Sequence, residues 1–291
     1  MKMDFKAMAM GVVFAFLWSS AFATARIIVA DAPPLMALSA RFLISGLIAV
    51  GVARAMGQSW RLTQPQWRAT IIFGLCQNGL YLGLNFVAMQ RIEASLAAII
   101  ASTMPLLVAA LGWAFMGQRV GRIGVLGLLA GTLGVALIMG TRIEGGAYIP
   151  GILICGIGAL ALAVATLLVR GATSGGNLLM IVGLQMLVGS VVLGLISIAT
   201  EMWFLRWSWH WGAAFAYQIA FPGLMATMIW FSLVGRIGAV RASTFHFLNP
   251  FFGVAVAAAL LGETVHPLDM LGVAIVMAGI LAVQMSRQAN A

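Results

Sequence analysis

A chain of 291 residues with 63% hydrophobic and 8% charged side chains, at a mean hydropathy of +1.07, cannot cover itself with a solvating surface. Soluble domains carry roughly 25% charged residues, so a water-soluble enzyme or binding module is excluded and the bilayer is the natural solvent. The net charge of +9 does not point to nucleic acid, because the basic residues lie in short breaks between long apolar runs rather than on one patch.

A spanning helix needs about 20 mainly apolar residues. Ten runs qualify, near 6–28, 34–54, 67–90, 94–116, 121–140, 149–169, 178–200, 211–234, 241–261 and 267–286. Their continuity excludes the alternating strands of an outer-membrane barrel. The first run ends in Ala21-Phe22-Ala23, which has the small residues of a signal-peptide cleavage site; it is too long for a signal h-region and is read as a span. It carries Trp18, Ser19 and Phe22. The second holds Arg41, seven residues past Pro34 and so about two helical turns from the outer surface. Arg41 is read as a structural or gate arginine that snorkels or pairs with a carbonyl, rather than as a substrate clamp.

On the third run Asn78, Tyr81 and Asn85 recur at helical spacing beside Gln77. The fourth places Ser102 and Thr103 just before Pro105. The fifth is striped with Gly121, Gly124, Gly127, Gly131 and Gly134, small residues that let helices of one chain approach closely. Cys76 and Cys155 sit inside the third and sixth runs as small core residues. Trp203, Trp207, Trp209 and Trp211 crowd the connection before the eighth run and read as an interfacial aromatic belt. The eighth breaks at Pro222-Gly223 and continues through Thr227, Trp230 and Phe231. The ninth spaces Ser243, His246 and Asn249 three apart ahead of Pro250.

With the N-terminus in the cytoplasm the basic residues sort by side. Lys2, Lys6, Arg54, Arg61, Arg68, Arg119, Arg122, Arg170, Arg236, Arg241 and Arg287 fall inside; Arg26, Arg91, Arg142 and Arg206 fall outside. This positive-inside bias places both termini in the cytoplasm. The acids Asp31, Glu93, Glu144, Glu201, Glu263 and Asp269 then lie outside and Asp4 inside, and no carboxylate is expected within a span.

The chain also echoes itself. A shift of 145 lays Arg91-Ile92 on Arg236-Ile237, Pro105 on Pro250, Gly117-Gln118 on Gly262-Glu263, Leu126-Gly127 on Leu271-Gly272 and Gly134 on Gly279. A shift of 144 lays Arg26 on Arg170, Leu35-Met36 on Leu179-Met180 and Gly79 on Gly223. Five spans per copy is odd, so the second copy, 146–291, enters the membrane from the side opposite to the first, 1–145. The expected fold is one all-α integral membrane domain of two inverted five-helix repeats, a plan suited to alternating access.

Three segments carry a family resemblance. Phe16-Leu17-Trp18-Ser19-Ser20-Ala21-Phe22 in the first span, Ala40-Arg41-Phe42 in the second, and Leu248-Asn249-Pro250-Phe251-Phe252-Gly253 through Leu261-Gly262-Glu263 resemble motifs of the EamA-type members of the drug/metabolite transporter superfamily. Nearly the whole chain is covered. The resemblance implies a multi-pass exporter of the bacterial inner membrane. Size and overall pattern also resemble the YddG-type aromatic amino-acid exporters of that family.

Irregular helices at matching places in two repeats point to a transporter site. Pro105 and Pro250 should each bend a span and free the carbonyls of Ala101 and His246. Around them Trp18, Ser19, Phe22, Gln77, Asn78, Tyr81, Asn85, Ser102, Thr103, Thr227, Trp230, Phe231, Ser243, His246 and Asn249 are expected to line a cavity. Mixed aromatic and amide lining suits a small amphipathic metabolite such as an amino acid; no metal site and no cofactor are expected. With His246 the one titratable group at depth, a facilitator is favoured over a proton-coupled carrier. The other readings are an intramembrane enzyme using Ser243, His246 and Asn249, a non-transporting receptor, or an exporter of another metabolite or drug. A monomer is favoured over a dimer.

Overall fold

The computed structural model describes residues 5–117, 121–168, 175–238 and 242–289. Lys2, Asp4, Gln118, Arg119, Arg170, Ala239 and Arg241 lie outside this set, as do the side chains of Phe231 and Arg287. Ten helices are long and apolar enough to span a bilayer: α1 Phe5–Asp31, α2 Pro34–Ala55, α3 Gln64–Ala88, α4 Ala94–Met116, α5 Arg122–Glu144, α6 Ile149–Leu168, α7 Leu178–Thr200, α8 Trp209–Ile237, α9 Thr244–Leu261 and α10 Pro267–Ser286. No strand occurs among the described residues. The side chains confirm the solvent: Leu126, Leu129 and Leu133 on α5 are largely exposed, opposite its glycine stripe.

Contacts divide the chain into two compact units that cut across the sequence halves. Unit 1 takes Met1–Ala23, Arg91–Leu153 and Met225–Ala291; unit 2 takes Thr24–Gln90 and Ile154–Leu224.

In unit 1, α5 and α10 pack through glycine. A Cβ on Gly127 would lie 2.7 Å from the Gly279 carbonyl oxygen, and one on Gly134 would lie 2.9 Å from that of Gly272. The stripe is thus an intramolecular contact, backed by a core of Ile99, Leu106, Ile138, Val254, Val276 and Ile280.

In unit 2, α2 and α7 pack likewise. Ser39 Oγ donates to the Ser190 carbonyl and Ser190 Oγ to the Ser39 carbonyl, each at 2.8 Å. A Cβ on Gly46 would meet the Gly183 carbonyl oxygen at 3.0 Å.

These contacts obey the repeat. The 145-residue shift sends Gly127 to Gly272 and Gly134 to Gly279, so the contact 127–279 maps onto 272–134. The 144-residue shift sends Ser39 to Gly183 and Gly46 to Ser190, so 39–190 maps onto 183–46. Repeat mates therefore run antiparallel and exchange contacts, the relation that inverted repeats require.

Two glutamates tie the ends of mated helices. Neither α2 nor α4 has a side-chain cap of its own. Instead Glu201, just past α7, accepts from the N–H groups of Leu35 and Met36 at 2.9 and 3.0 Å. Glu263, just past α9, accepts from those of Ala94 and Ser95 at 2.7 and 3.0 Å. A carboxylate at a helix N-terminus satisfies orphan donors and complements the helix dipole.

Three sequence expectations are corrected. Asp269 lies in the first turn of α10 and is fully buried, so one carboxylate does sit within a span. It is held there by Arg142, which lies buried on α5 rather than free in an outer loop. That neutralisation lets α5 run to Glu144 instead of stopping near 140. Trp211 is buried against Phe215, with stacked rings 4.9 Å apart, so only Trp203, Trp207 and Trp209 remain exposed as belt residues.

Glu93 completes this cluster by pairing with Arg142. Burial, aided by Glu263 and Asp269, holds its carboxyl above the ordinary range against the opposing pull of Arg142. A carboxyl raised in the folded state binds its proton more tightly there, so its contribution favours folding at low pH and is lost as pH rises through the raised pKa. The thermal midpoint should decline as pH rises just beyond the ordinary carboxylate range, and Glu93→Gln should remove that slope in a melting series across pH.

Candidate functional site

The spans break where the repeat matches. α4 is two helices, Ala94–Ser102 and Met104–Met116, and Pro105 opens the second. α9 begins as a 3₁₀ turn, Thr244–Leu248, before an α-helix from Asn249 to Leu261 that Pro250 opens. Both prolines thus start a helix, where a missing N–H costs little, rather than bending a continuous one. The mated glycines Gly117 and Gly262 then end both segments in the left-handed region, at φ 62° and 67°. Of the two carbonyls expected to be free, that of His246 is used, and next to Ala101 two hydroxyls bond back into the helix. His246 O accepts from the Asn249 N–H, and the Ser102 and Thr103 hydroxyls bond back to the Ile99 and Ile100 carbonyls at 2.7 and 2.6 Å.

A second matched pair was only half legible. α8 turns π-helical over Ile219–Met225, around the Pro222-Gly223 break. Its mate α3 does so over Gly74–Leu82 without a proline, and the one sequence signal is Gly79, which aligns with Gly223. π-Helical stretches concentrate at functional sites.

Within unit 1, α1, α8 and α9 form an aromatic and amide cluster. The Phe14 ring lies 4.9 Å from that of Trp230 and 5.7 Å from Trp18, and meets the His246 ring edge-on at 5.3 Å. The Trp230 and His246 rings are 5.2 Å apart. Asn249 Nδ2 lies 3.0 Å from His246 Nδ1. An amide nitrogen only donates, so Nδ1 accepts and the neutral ring carries its proton on Nε2. The Asn249 carbonyl accepts from Ser19 Oγ at 3.2 Å, whereas its Oδ1 is buried without a partner. Phe14 was missed from sequence, although it sits one helical turn before Trp18 on the same face.

The remaining predicted residues are placed as follows. Ser243 Oγ donates to Gln284 Oε1 at 3.2 Å. Thr227 lies half-buried on α8, Phe22 is buried further along α1, and Gln77 is half-buried beside Asn78.

Asn78, Tyr81 and Asn85 belong to unit 2, where the protein itself engages them. Asn78 Nδ2 donates to the Gln185 carbonyl at 2.9 Å. Asn85 Nδ2 donates to the Tyr81 carbonyl at 2.7 Å, and its Oδ1 accepts from Cys155 Sγ at 3.4 Å. Arg41, also in unit 2, is buried, and its Nε has no hydrogen-bond partner.

The model of the EamA-like transporter family matches this chain twice, over residues 5–140 and 149–285. The chain belongs to that family. The matched segments fall one in each half of the chain and together cover all ten helices. The chain is 27% identical to the uncharacterized transporter sll0355 of Synechocystis, over 94% of this chain and 88% of that one. It is 25% identical to the uncharacterized inner membrane transporter YedA of Escherichia coli K12, over 95% and 90%. A solved crystal structure superposes with a TM-score of 0.70 over 98% of this chain and 99% of its own, at 20% identity, which speaks to fold alone. This EamA-family protein is a membrane transporter, a multi-pass component of the bacterial-type inner membrane with a small-molecule cargo.

Proposed function

We propose that this EamA-family transporter exports amino acids, aromatic or similarly amphipathic, from the cytoplasm by alternating access. The supporting observation is the cluster of unit 1, in which the rings of Phe14, Trp18, Trp230 and His246 pack together and Asn249, bonded to His246, keeps an unused Oδ1. Aromatic rings favour another ring or an ammonium group, and a buried amide acceptor favours an N–H donor. An α-amino acid with an aromatic side chain supplies both. In this reading the five-helix repeats 1–145 and 146–291 are the moving partners, with both termini cytoplasmic. Pro105 and Pro250 act as matched hinges, and the chain works as a monomer.

Transport rather than catalysis is favoured because both halves of the chain match the EamA-like transporter family. The fully buried carboxylate of α10, Asp269, is neutralised by Arg142, so no proton relay is assigned and the carrier runs down its substrate gradient. Expression in bacteria should protect growth against toxic aromatic amino-acid analogues, and Trp230→Ala should remove that protection. Protection against analogues of other metabolites but not these would replace the substrate class.

A further inference from the structure

The buried arginine of α2 has no carboxylate beside it among the described residues. Arg41 is 5% exposed and Ser45, one helical turn on, is 0% exposed. They share one face of α2. Arg41 Nε and Ser45 Oγ both lack a hydrogen-bond partner, and no carboxylate lies within ion-pair distance of Arg41 among the described residues. Its one contact of note is the Phe42 ring, 5.2 Å from the guanidinium carbon. Arg142 shows the alternative within the same chain, since its burial is matched by two carboxylates. An unpaired charge at membrane depth costs several kcal/mol, so an arginine kept this way marks a place for an anion.

The opposite wall is the π-helical stretch of α8. A Cβ on Gly223 would lie 3.3 Å from Ser45 Oγ and 3.9 Å from Arg41 Nη2, and 2.9 Å from the Gln218 carbonyl oxygen. The Ser45 hydroxyl and one end of the Arg41 guanidinium therefore face the glycine, where any larger side chain would crowd them. All four residues, Arg41, Ser45, Gln218 and Gly223, belong to unit 2.

We propose that Arg41 and Ser45 form a carboxylate subsite against Gly223. The guanidinium fork matches the two oxygens of a planar carboxylate, and the serine hydroxyl supplies a further donor. The subsite lies wholly within unit 2 and is argued for a carboxylate ligand on these residues alone. Arg41 is then a specificity residue that selects anionic ends over amides and esters.

The test is the thermal midpoint of the purified protein titrated with L-phenylalanine, 3-phenylpropionate and 3-phenylpropionamide. Both carboxylates should stabilise the wild type and the amide should not. Arg41→Gln should weaken carboxylate binding by at least about tenfold, the loss of one charge-assisted hydrogen bond. Ser45→Ala, which removes a hydroxyl without a partner and so leaves the fold intact, should weaken it by about three- to tenfold. Should Arg41→Gln fail to fold, Arg41→Lys and Ser45→Ala carry the comparison, each expected to bind carboxylate less tightly. Stabilisation by phenylpropionate but not phenylalanine keeps the subsite and overturns the amino-acid reading. Equal stabilisation by acid and amide, none by either acid, or undiminished binding in the variants overturns the subsite.

Discussion

Asp269→Asn should destabilise unit 1 by about 3–5 kcal/mol, the range for breaking one side of a buried ion pair. Asp269 is fully buried, and its Oδ2 lies 2.9 Å from Arg142 Nη2. That contact is close but not aligned as a hydrogen bond, since Nη2 has no hydrogen-bond partner; its worth is electrostatic. Asp269 also accepts from Thr141 Oγ1 at 3.3 Å and from the His266 N–H at 3.2 Å, joining the end of α5 to the start of α10. The isosteric amide can keep contacts of this kind and loses the charge. Arg142 is then left buried with Glu93 alone, whose side chain is 42% exposed. Arg142→Met should cost as much by leaving Asp269 unpaired. The double replacement Arg142→Met with Asp269→Leu should recover most of the loss, because a buried pair can be exchanged for apolar groups at little net cost. Unfolding of the detergent-purified protein measures all three. Additive losses would show that the two residues act separately.

Gly127→Ala and Gly279→Ala should each lower stability by about 1–3 kcal/mol, the usual cost of overpacking. The added Cβ on Gly127 meets the Gly279 carbonyl oxygen at 2.7 Å, and on Gly279 it meets the Gly131 nitrogen at 2.6 Å. Both obstacles are backbone of a packed helix and cannot swing aside as a side chain can. α5 and α10 must separate, and the contact between mates opens with them. Gly140 on the same helix provides the control, since a Cβ there meets nothing within 4 Å. Gly140→Ala should be neutral or stabilising by about 0.5–1 kcal/mol through helix propensity. Thermal melts of the three variants give the ranking. A loss at Gly140 equal to that at Gly127 would mean that close helix approach is not what the stripe provides.

Much of this architecture could be read from the residues because the bilayer imposes simple rules. Apolar runs near 20 residues gave the ten helices, and the self-match gave the antiparallel mates later seen in Gly127–Gly279 and Ser39–Ser190. Features set by tertiary contact were harder to read. The burial of Asp269 depends on Arg142 arriving from 127 residues earlier, and the missing partner of Arg41 is a fact of three-dimensional surroundings. The π-helical stretch of α3 has no proline to announce it. Of the expected lining, Trp18, Ser19, Trp230, His246 and Asn249 meet in unit 1. Asn78 and Asn85, equally suggestive as letters, bond to backbone or cysteine within unit 2. An amide at membrane depth needs a partner, but spacing alone does not say whether cargo or a neighbouring helix provides it.

The most direct measurement is counterflow in proteoliposomes loaded with unlabelled L-tryptophan or L-phenylalanine, with no imposed proton gradient. Transient accumulation of the labelled amino acid is expected for the wild type and should be lost in Trp230→Ala. Absence of counterflow for these and every other amino acid, from protein that melts as a folded species, would contradict the amino-acid assignment.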